Sequence, residues 1–122
     1  MTSNTFDKSK RIRKRREFLR LQRHGFRSFG RFVVIIGERS QRYTPGRIGI
    51  TVPKKVGSSH VRNKIKRRIR HIFRLKQTLF FERNLVIIAR SSSTTAAFLD
   101  LRADIVDVCA RLHDKRPAIR SS

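Results

Sequence analysis

The residues best suited to chemistry in this sequence form one dense group of phosphate donors. Residues 60–76 place apolar side chains at helical spacing, and arginine and lysine surround that narrow stripe with no acidic residue among them. Guanidinium and ammonium groups donate to phosphate, and an amide in the same helix can bind a base edge or a 2′-hydroxyl. With the Lys-Lys turn just before the helix, this surface comprises Lys54, Lys55, Arg62, Asn63, Lys66, Arg67, Arg70 and Arg74.

Such a helix is unstable by itself, because like charges one turn apart repel each other. Packing of the apolar stripe on a core would offset the repulsion, and so would a polyanion bound along the basic face. A charged helix that simply faces solvent is the alternative, but solvated helix faces normally mix the two signs of charge. The pattern therefore favours binding of a polyanion.

A second candidate surface combines the apolar side of a short first helix, with Phe18 and Leu21, and one face of a sheet. Single-stranded RNA binds on flat or apolar ground that is flanked by cations. An equally open alternative is that these apolar residues are simply core. The sheet residues and cations of this surface are Phe32, Val34 and Ile36 beside Arg13, Arg27 and Arg31.

The sequence offers little for catalysis by the protein itself. It shows neither a nucleophile motif nor a pair of carboxylates with a nearby basic partner, and its glycines do not form a phosphate-binding loop before a helix. The four histidines are scattered, and His24, His60 and His71 lie in basic sequence that opposes binding of a metal dication. We therefore predict no catalytic residue and no metal site in the protein.

Length and charge limit the remaining possibilities. The 122 residues make one domain at most, and a net charge of +23 favours nucleic acid as the partner over a membrane surface. Tryptophan is absent, no apolar run reaches the length of a bilayer span, and the first residues give no reason to expect a secretory signal, so no membrane association is predicted. The single cysteine, Cys109, fits a reducing cytoplasm and a buried apolar position. Residues 1–9 and 114–122 are predicted to be flexible tails of one RNA-binding domain, residues 1–122.

Periodicity predicts a mixed α+β sandwich. A first helix ends at His24, where Gly25 would stop it by taking positive φ. Residues 32–36 and 47–52 read as two strands of an antiparallel hairpin, with residues 32, 34 and 36 on one face. The basic helix, capped by Ser58 or Ser59, then leads to a strand at residues 85–90, which implies one parallel or crossover pairing.

The last helix carries an apolar stripe from Phe98 to Leu112. Asp100, Asp104 and Asp107 lie opposite that stripe, so this helix is predicted to form an outer wall that faces away from the polyanion. Gly49 leaves one face of its strand without a side chain, which indicates close packing or room for a ligand.

The turn Lys54-Lys55-Val56-Gly57, followed by Arg62-Asn63-Lys64-Ile65-Lys66-Arg67, resembles the signature of the bacterial ribonuclease P protein component. In that family a Lys-Lys-x-Gly turn precedes an Arg-Asn-Arg-x-x-Lys-Arg helix. The basic segment before the first helix, Gly25 and the two later strands also match in order and spacing. The resemblance implies an α-β-β-β-α-β-α fold like the second domain of ribosomal protein S5, with a left-handed βαβ crossover.

The resemblance also implies a function. In the family a catalytic RNA subunit, using Mg²⁺ that it mainly binds itself, removes the 5′ leader of precursor tRNA. The protein is an accessory subunit with no tightly bound cofactor and no obligate protein partner. A ribosome-associated or general structural RNA-binding protein is the alternative, and a protein-only nuclease a third.

Carried over by position, the RNA-subunit contacts are Arg62, Asn63, Lys64, Lys66 and Arg67, and the leader cleft includes Arg13, Phe18, Gln22, Val34 and Ile36. Three of these depart from the family pattern. Lys64 replaces an arginine, which turns a bidentate contact into a point charge. Gln22 stands where an aromatic or aliphatic residue is frequent, and Ile36 where some members carry an aromatic.

Overall fold

A computed structural model of the chain describes residues 11–12, 15–39 and 46–113. Three helices and a four-stranded sheet make up the fold, together with short 3-10 turns. In chain order these elements are α1 (Arg15–His24), β1 (Phe26–Phe29), β2 (Val33–Arg39), β3 (Arg47–Thr51), α2 (Ser59–Leu75), β4 (Arg83–Ala89) and α3 (Phe98–His113). The architecture is therefore α+β, in the α-β-β-β-α-β-α order that the resemblance implies.

The sheet has the strand order β1-β2-β4-β3, so β1 and β3 are its edges. β1 pairs antiparallel with β2, β2 pairs antiparallel with β4, and β4 pairs parallel with β3. The β3-α2-β4 unit supplies the parallel pairing that was predicted. The left-handed sense of that crossover stays a prediction from the resemblance.

Two features of the predicted sheet are wrong. The strand at residues 32–36 does not form a hairpin with the next strand, because β4 lies between β2 and β3. The hairpin partner of β2 is instead β1, a four-residue strand that periodicity missed. Phe32 also does not share a face with Val34 and Ile36: it precedes β2 and packs in the core on the opposite side of the sheet.

The two faces of the sheet have separate cores. On one face Val33, Ile35 and Ile87 pack against the buried stripes of α2 and α3, which supply most of the core. On the other face α1 contributes Leu21 to a smaller cluster with Ile12 and Val86. The sheet is thus the middle layer, and α1 together with Ile12 covers part of its second face.

Helix α1 ends where the sequence predicts, but for a different reason. None of the described glycines has positive φ. A Cβ at Gly25 would lie 2.7 Å from Cγ2 of Ile36 and 2.8 Å from the carbonyl oxygen of Leu21. Gly25 is therefore required by the close approach of α1 to β2 and not by a left-handed turn.

Helix α2 closely follows its prediction. The hydroxyl of Ser58 accepts the backbone N–H of Val61 at 3.4 Å, which selects Ser58 as the cap, and the helix runs to Leu75. The stripe of Ile65, Ile69 and Ile72 is buried as expected. Repulsion along the basic face is thus at least partly offset by the core.

Helix α3 differs from its prediction at one residue. Asp100 and Asp107 are exposed, as expected for an outer wall. Asp104 instead turns inward, and its carboxylate accepts backbone N–H groups of Arg31 and Phe32 in the β1–β2 turn. This helix therefore holds the turn as well as covering the core.

Candidate nucleic-acid interfaces

The outer face of α2 presents the predicted phosphate donors to solvent. Asn63, Lys64, Arg67 and Arg70 are exposed, and Lys66 is partly exposed. The preceding 3-10 turn, residues Lys54–Val56, keeps Lys54 and Lys55 exposed while Val56 is buried beneath them. These side chains form one continuous basic surface, here called the helix surface.

Three arginines of α2 also make contacts within the protein. Nε of Arg62 donates to the carbonyl oxygen of Gly57 at 3.2 Å, which fixes the Lys-Lys turn against the start of the helix. Arg68 donates to the carbonyl oxygen of Ala96 at 3.2 Å, and Arg74 lies 2.6 Å from Nδ1 of His71. The sequence could not separate these structural arginines from the exposed ones, because all carry the same charge in the same stretch.

The second face of the sheet has two rows of side chains that run across the strands. One row, the covered row, consists of Ile36, Val86 and Gly49, and it lies under α1. A Cβ at Gly49 would lie 2.6 Å from Cζ of Phe18, so Gly49 serves close packing of α1 on the sheet. The packing interpretation of Gly49 is thus correct.

The next row is not covered by α1. It runs through paired residues of all four strands, Phe29, Val34, Ile88 and Thr51, and is here called the open row. Val34, Ile88 and Thr51 are each partly exposed, and Phe29 is 59 % exposed. Apolar ground of this kind, open to solvent across a whole sheet, is what a single-stranded nucleic acid needs for contact.

The predictions for this face of the sheet need two corrections, one in the leader cleft and one in the second candidate surface. Ile36 is fully buried, so it lies beneath the cleft and not on its surface. Phe32 belongs to the opposite core. Phe18 and Gln22 are partly exposed on α1, and Val34 lies in the open row. Arg13 lies outside the described residues.

A groove of about 750 Å³ runs beside the open row. Three cations from different segments, Arg31, Lys55 and Arg90, line it, and no carboxylate is among the described residues that line it. Sequence reasoning assigned Lys55 to the helix surface alone and missed Phe29 and Arg90. Only the strand register brings these residues together.

Arg70 lies nearer to α1 than the prediction placed it. It lines a pocket of about 220 Å³ with Phe18, Gly49 and Arg11. Burial, together with the charge of nearby Arg11, lowers the pKa of the Arg70 guanidinium. Since α2 is next to the edge strand β3, this arginine reaches from the helix surface toward the leader cleft.

The described residues offer few groups for protein catalysis. Among them, no three His, Cys, Asp or Glu side chains come together in a way that could hold a metal ion. Cys109 is buried, and that burial raises the pKa of its thiol to about 12, which leaves it un-ionised and unreactive. No described helix is both long and apolar enough to span a bilayer.

The comparison with known families agrees with this geometry. A family model described as ribonuclease P matches residues 6–113, nearly the whole chain. This chain belongs to the ribonuclease P protein family. A ribonuclease P protein component from Syntrophus aciditrophicus is 40 % identical over 103 residues, which are 83 % of this chain and 85 % of the relative. Another, from Citrifermentans bemidjiense, is 31 % identical over 94 % of this chain and 98 % of its own.

Solved structures of ribonuclease P proteins share the fold. A Staphylococcus aureus protein, described as a mutant with defective mRNA degradation activity, matches with a TM-score of 0.80 at 28 % identity, over 87 % of this chain and 90 % of its own. The Thermotoga maritima protein matches with a TM-score of 0.75 at 27 % identity, over 83 % and 96 % of the two chains. The similarity to the ribonuclease P family thus extends from the motif to the whole fold.

Proposed function

We propose that this chain is the protein subunit of a ribonuclease P ribonucleoprotein that produces the mature 5′ end of tRNA. The helix surface binds the catalytic RNA subunit, and the open row with its groove binds the 5′ leader of precursor tRNA. The RNA subunit, with Mg²⁺ that it mainly binds itself, catalyses the hydrolysis that removes the leader. The reducing cytoplasm is the expected location, in keeping with the free Cys109.

The presence of two different surfaces on one small fold, which meet at Lys55, supports this proposal most directly. The helix surface faces outward from the α2 and α3 side of the sheet, whereas the open row lies on the α1 side. Phosphate donors dominate the first surface, and apolar side chains between cations make up the second. A large folded RNA fits the first surface, and a single strand fits the second.

Reconstitution tests the proposal. Protein freed of nucleic acid is combined with a ribonuclease P RNA subunit and labelled precursor tRNA at a Mg²⁺ concentration where the RNA alone is slow. We expect cleavage at the mature 5′ end to rise when the protein is added, and tighter binding of precursor than of mature tRNA. If the protein gives no increase and instead recovers ribosomal RNA from a lysate, it is a ribosome-associated protein.

A separate experiment tests whether the protein cleaves RNA when no RNA subunit is present. One structurally similar protein is described as a mutant with defective mRNA degradation activity. We expect nuclease-treated protein of this sequence to leave both precursor tRNA and an unstructured mRNA intact in Mg²⁺. Cleavage that persists through nuclease treatment and follows the protein through purification would contradict an accessory role.

A further inference from the structure

We propose that Phe29, on the edge strand β1, stacks against a base of the 5′ leader at the outer end of the open row. This inference rests on the function proposed above and identifies a substrate contact within the same surface. Phe29 is 59 % exposed although it pairs directly with Val34 in the sheet. Since paired residues of antiparallel strands share a face, its ring lies on the same face as Val34 and Ile88.

The position of Phe29 extends the binding surface to the full width of the sheet. Neighbouring strands are about 4.8 Å apart, so three gaps separate Phe29 from Thr51 by roughly 14 Å. That width has room for more than one nucleotide along a strand. The other aromatic ring near this face, Phe18, is partly buried over Gly49 and Ile12, which leaves Phe29 as the more accessible ring.

The charges around Phe29 favour RNA as the occupant. Arg31, Lys55 and Arg90 line the groove next to it, and they approach from the β1–β2 turn, the Lys-Lys turn and the end of β4. An aromatic ring between cations, with no lining carboxylate among the described residues, suits a strand whose phosphates and bases alternate. A second copy of this chain carries the same +23 charge and would be repelled from this surface.

The turn that follows Phe29 is held from both sides, which fixes the backbone next to the ring without a bound ligand. Asp104 accepts the backbone N–H groups of Arg31 and Phe32 at 2.9 and 2.8 Å. From the other side, Arg90 donates to the carbonyl oxygen of Gly30 at 2.8 Å, and Ser92 donates to that of Arg31 at 2.7 Å. A backbone that is already ordered loses little further entropy when a base stacks on the ring beside it.

Fluorescence of the Phe29→Trp variant tests the contact, because the chain contains no tryptophan of its own. In reconstituted holoenzyme, we expect precursor tRNA to change the emission of this tryptophan and mature tRNA to leave it unchanged. The matched control is Phe81→Trp, since Phe81 is 52 % exposed and does not lie in the open row. That control should respond equally to the two tRNAs.

Binding measurements with further variants separate stacking from mere apolar contact. Phe29→Ala should weaken precursor binding by roughly fivefold or more and leave mature tRNA binding unchanged. Phe29→Tyr should restore precursor binding, whereas Phe29→Leu should not, and all should unfold at the wild-type denaturant midpoint because the ring is exposed.

The outcomes distinguish this inference from the proposed function. If wild-type holoenzyme prefers precursor tRNA and Phe29→Ala does so equally, Phe29 does not contact the leader, and the proposed function stands. If the Phe29→Trp signal varies with protein concentration in the absence of RNA, the surface joins copies of the chain and the inference is wrong. A wild-type protein that forms no active holoenzyme would overturn the proposed function and this inference with it.

Discussion

The carboxylate of Asp104, in the middle of α3, accepts the backbone N–H of Phe32 at 2.8 Å, across 72 positions of the chain. The same carboxylate accepts the N–H groups of Arg31 at 2.9 Å and Val33 at 3.3 Å. One acidic side chain thereby satisfies three donors of the turn that carries Phe29 into the open row. This contact connects the far helix of the fold to the proposed leader-binding surface.

We expect Asp104→Asn to lower the free energy of unfolding by about 1–3 kcal/mol. The substitution keeps the shape of the side chain but removes its charge and one of its two acceptor oxygens, and hydrogen bonds to charged groups contribute about that much. Asp107→Asn is the matched control, because Asp107 is exposed and pairs only with Arg111 one turn away among the described residues. Losing the ion pair of Asp107 should lower the free energy of unfolding by no more than about 0.5 kcal/mol.

Urea unfolding followed by circular dichroism measures both variants. If Asp104→Asn and Asp107→Asn lower the free energy of unfolding equally, the Asp104 contact has no special structural role. An anchored turn also predicts that Asp104→Asn weakens precursor binding in the same direction as Phe29→Ala, because the backbone that carries the ring loses its anchor.

The difference between Asp104 and its neighbours shows where sequence reasoning fails. Local patterns predicted α2 almost to the residue and the apolar stripe of α3, since both depend on spacing within one segment. Whether an aspartate at the border of a stripe faces solvent depends on which turn packs beside it, and that turn belongs to a strand pair 70 residues away.

The open row could not be predicted from the sequence for a related reason. The short strand β1 carries only two phenylalanines in four residues, and periodicity needs a longer run. The hairpin between residues 32–36 and 47–52 was predicted because the loop between these two strands is short. Here β4 is inserted between those strands after a helical crossover. The residues of the two proposed RNA-binding surfaces were recognised mainly by type, whereas assigning them to opposite faces required the strand register.

Among the described residues, ion pairs of Arg20 with Glu38 and of Glu17 with Arg47 join α1 to the sheet, and the first of them predicts a pH dependence of stability. Arg20 donates to Glu38 at 2.8 Å, and Asn84 donates to the same carboxylate at 3.1 Å. Burial by itself would raise the pKa of Glu38, but the hydrogen bonds from Arg20 and Asn84 outweigh it and hold that pKa below its ordinary value. The folded state therefore binds a proton to Glu38 less readily than the unfolded state does.

The sign of the effect follows from that difference. Because the pKa of Glu38 is lower in the folded state than in the unfolded state, the charged carboxylate stabilises the fold. This contribution is fully present above the pKa of glutamate in the unfolded chain, about 4.3, and is lost as the pH falls through the pKa of Glu38 in the folded state. We expect the unfolding free energy of the wild type to fall below about pH 4.3 more steeply than that of Glu38→Gln. Urea titrations at several acidic pH values measure it, with exposed Asp100→Asn as the control. Parallel curves for wild type and Glu38→Gln would show that the ion pair carries no linked stability.

Arg67→Ala should weaken assembly with the RNA subunit without changing the fold. Arg67 is exposed on the helix surface, so its loss removes one phosphate donor and little packing. We expect the slope of log affinity against log salt to flatten by about one unit, as one fewer counterion is released. The matched control is Arg102→Ala, an exposed arginine of α3, which should leave the slope unchanged. Filter binding over a range of salt concentrations gives the slope for each variant. If Arg67→Ala and Arg102→Ala have the same slope, Arg67 does not contact the RNA subunit.

The contact between Phe18 and Gly49 predicts a coupling between two substitutions. A Cβ at Gly49 would lie 2.6 Å from Cζ of Phe18, so Gly49→Ala forces the ring to move and should cost about 1–3 kcal/mol of stability. In the Phe18→Leu background the shorter side chain leaves room for the new methyl group. There the same substitution should cost less by about 0.5 kcal/mol or more.

Gly57→Ala is the control for that cycle, because the three atoms nearest to its Cβ would all belong to Val61 and none to α1. Its cost should be the same in both backgrounds, so that any coupling seen for Gly49 reflects contact with Phe18. The coupling is obtained from the unfolding free energies of six proteins: the wild type, Phe18→Leu, Gly49→Ala, Gly57→Ala and the two double variants. An additive result at Gly49 would mean that α1 does not rest on β3 through this ring.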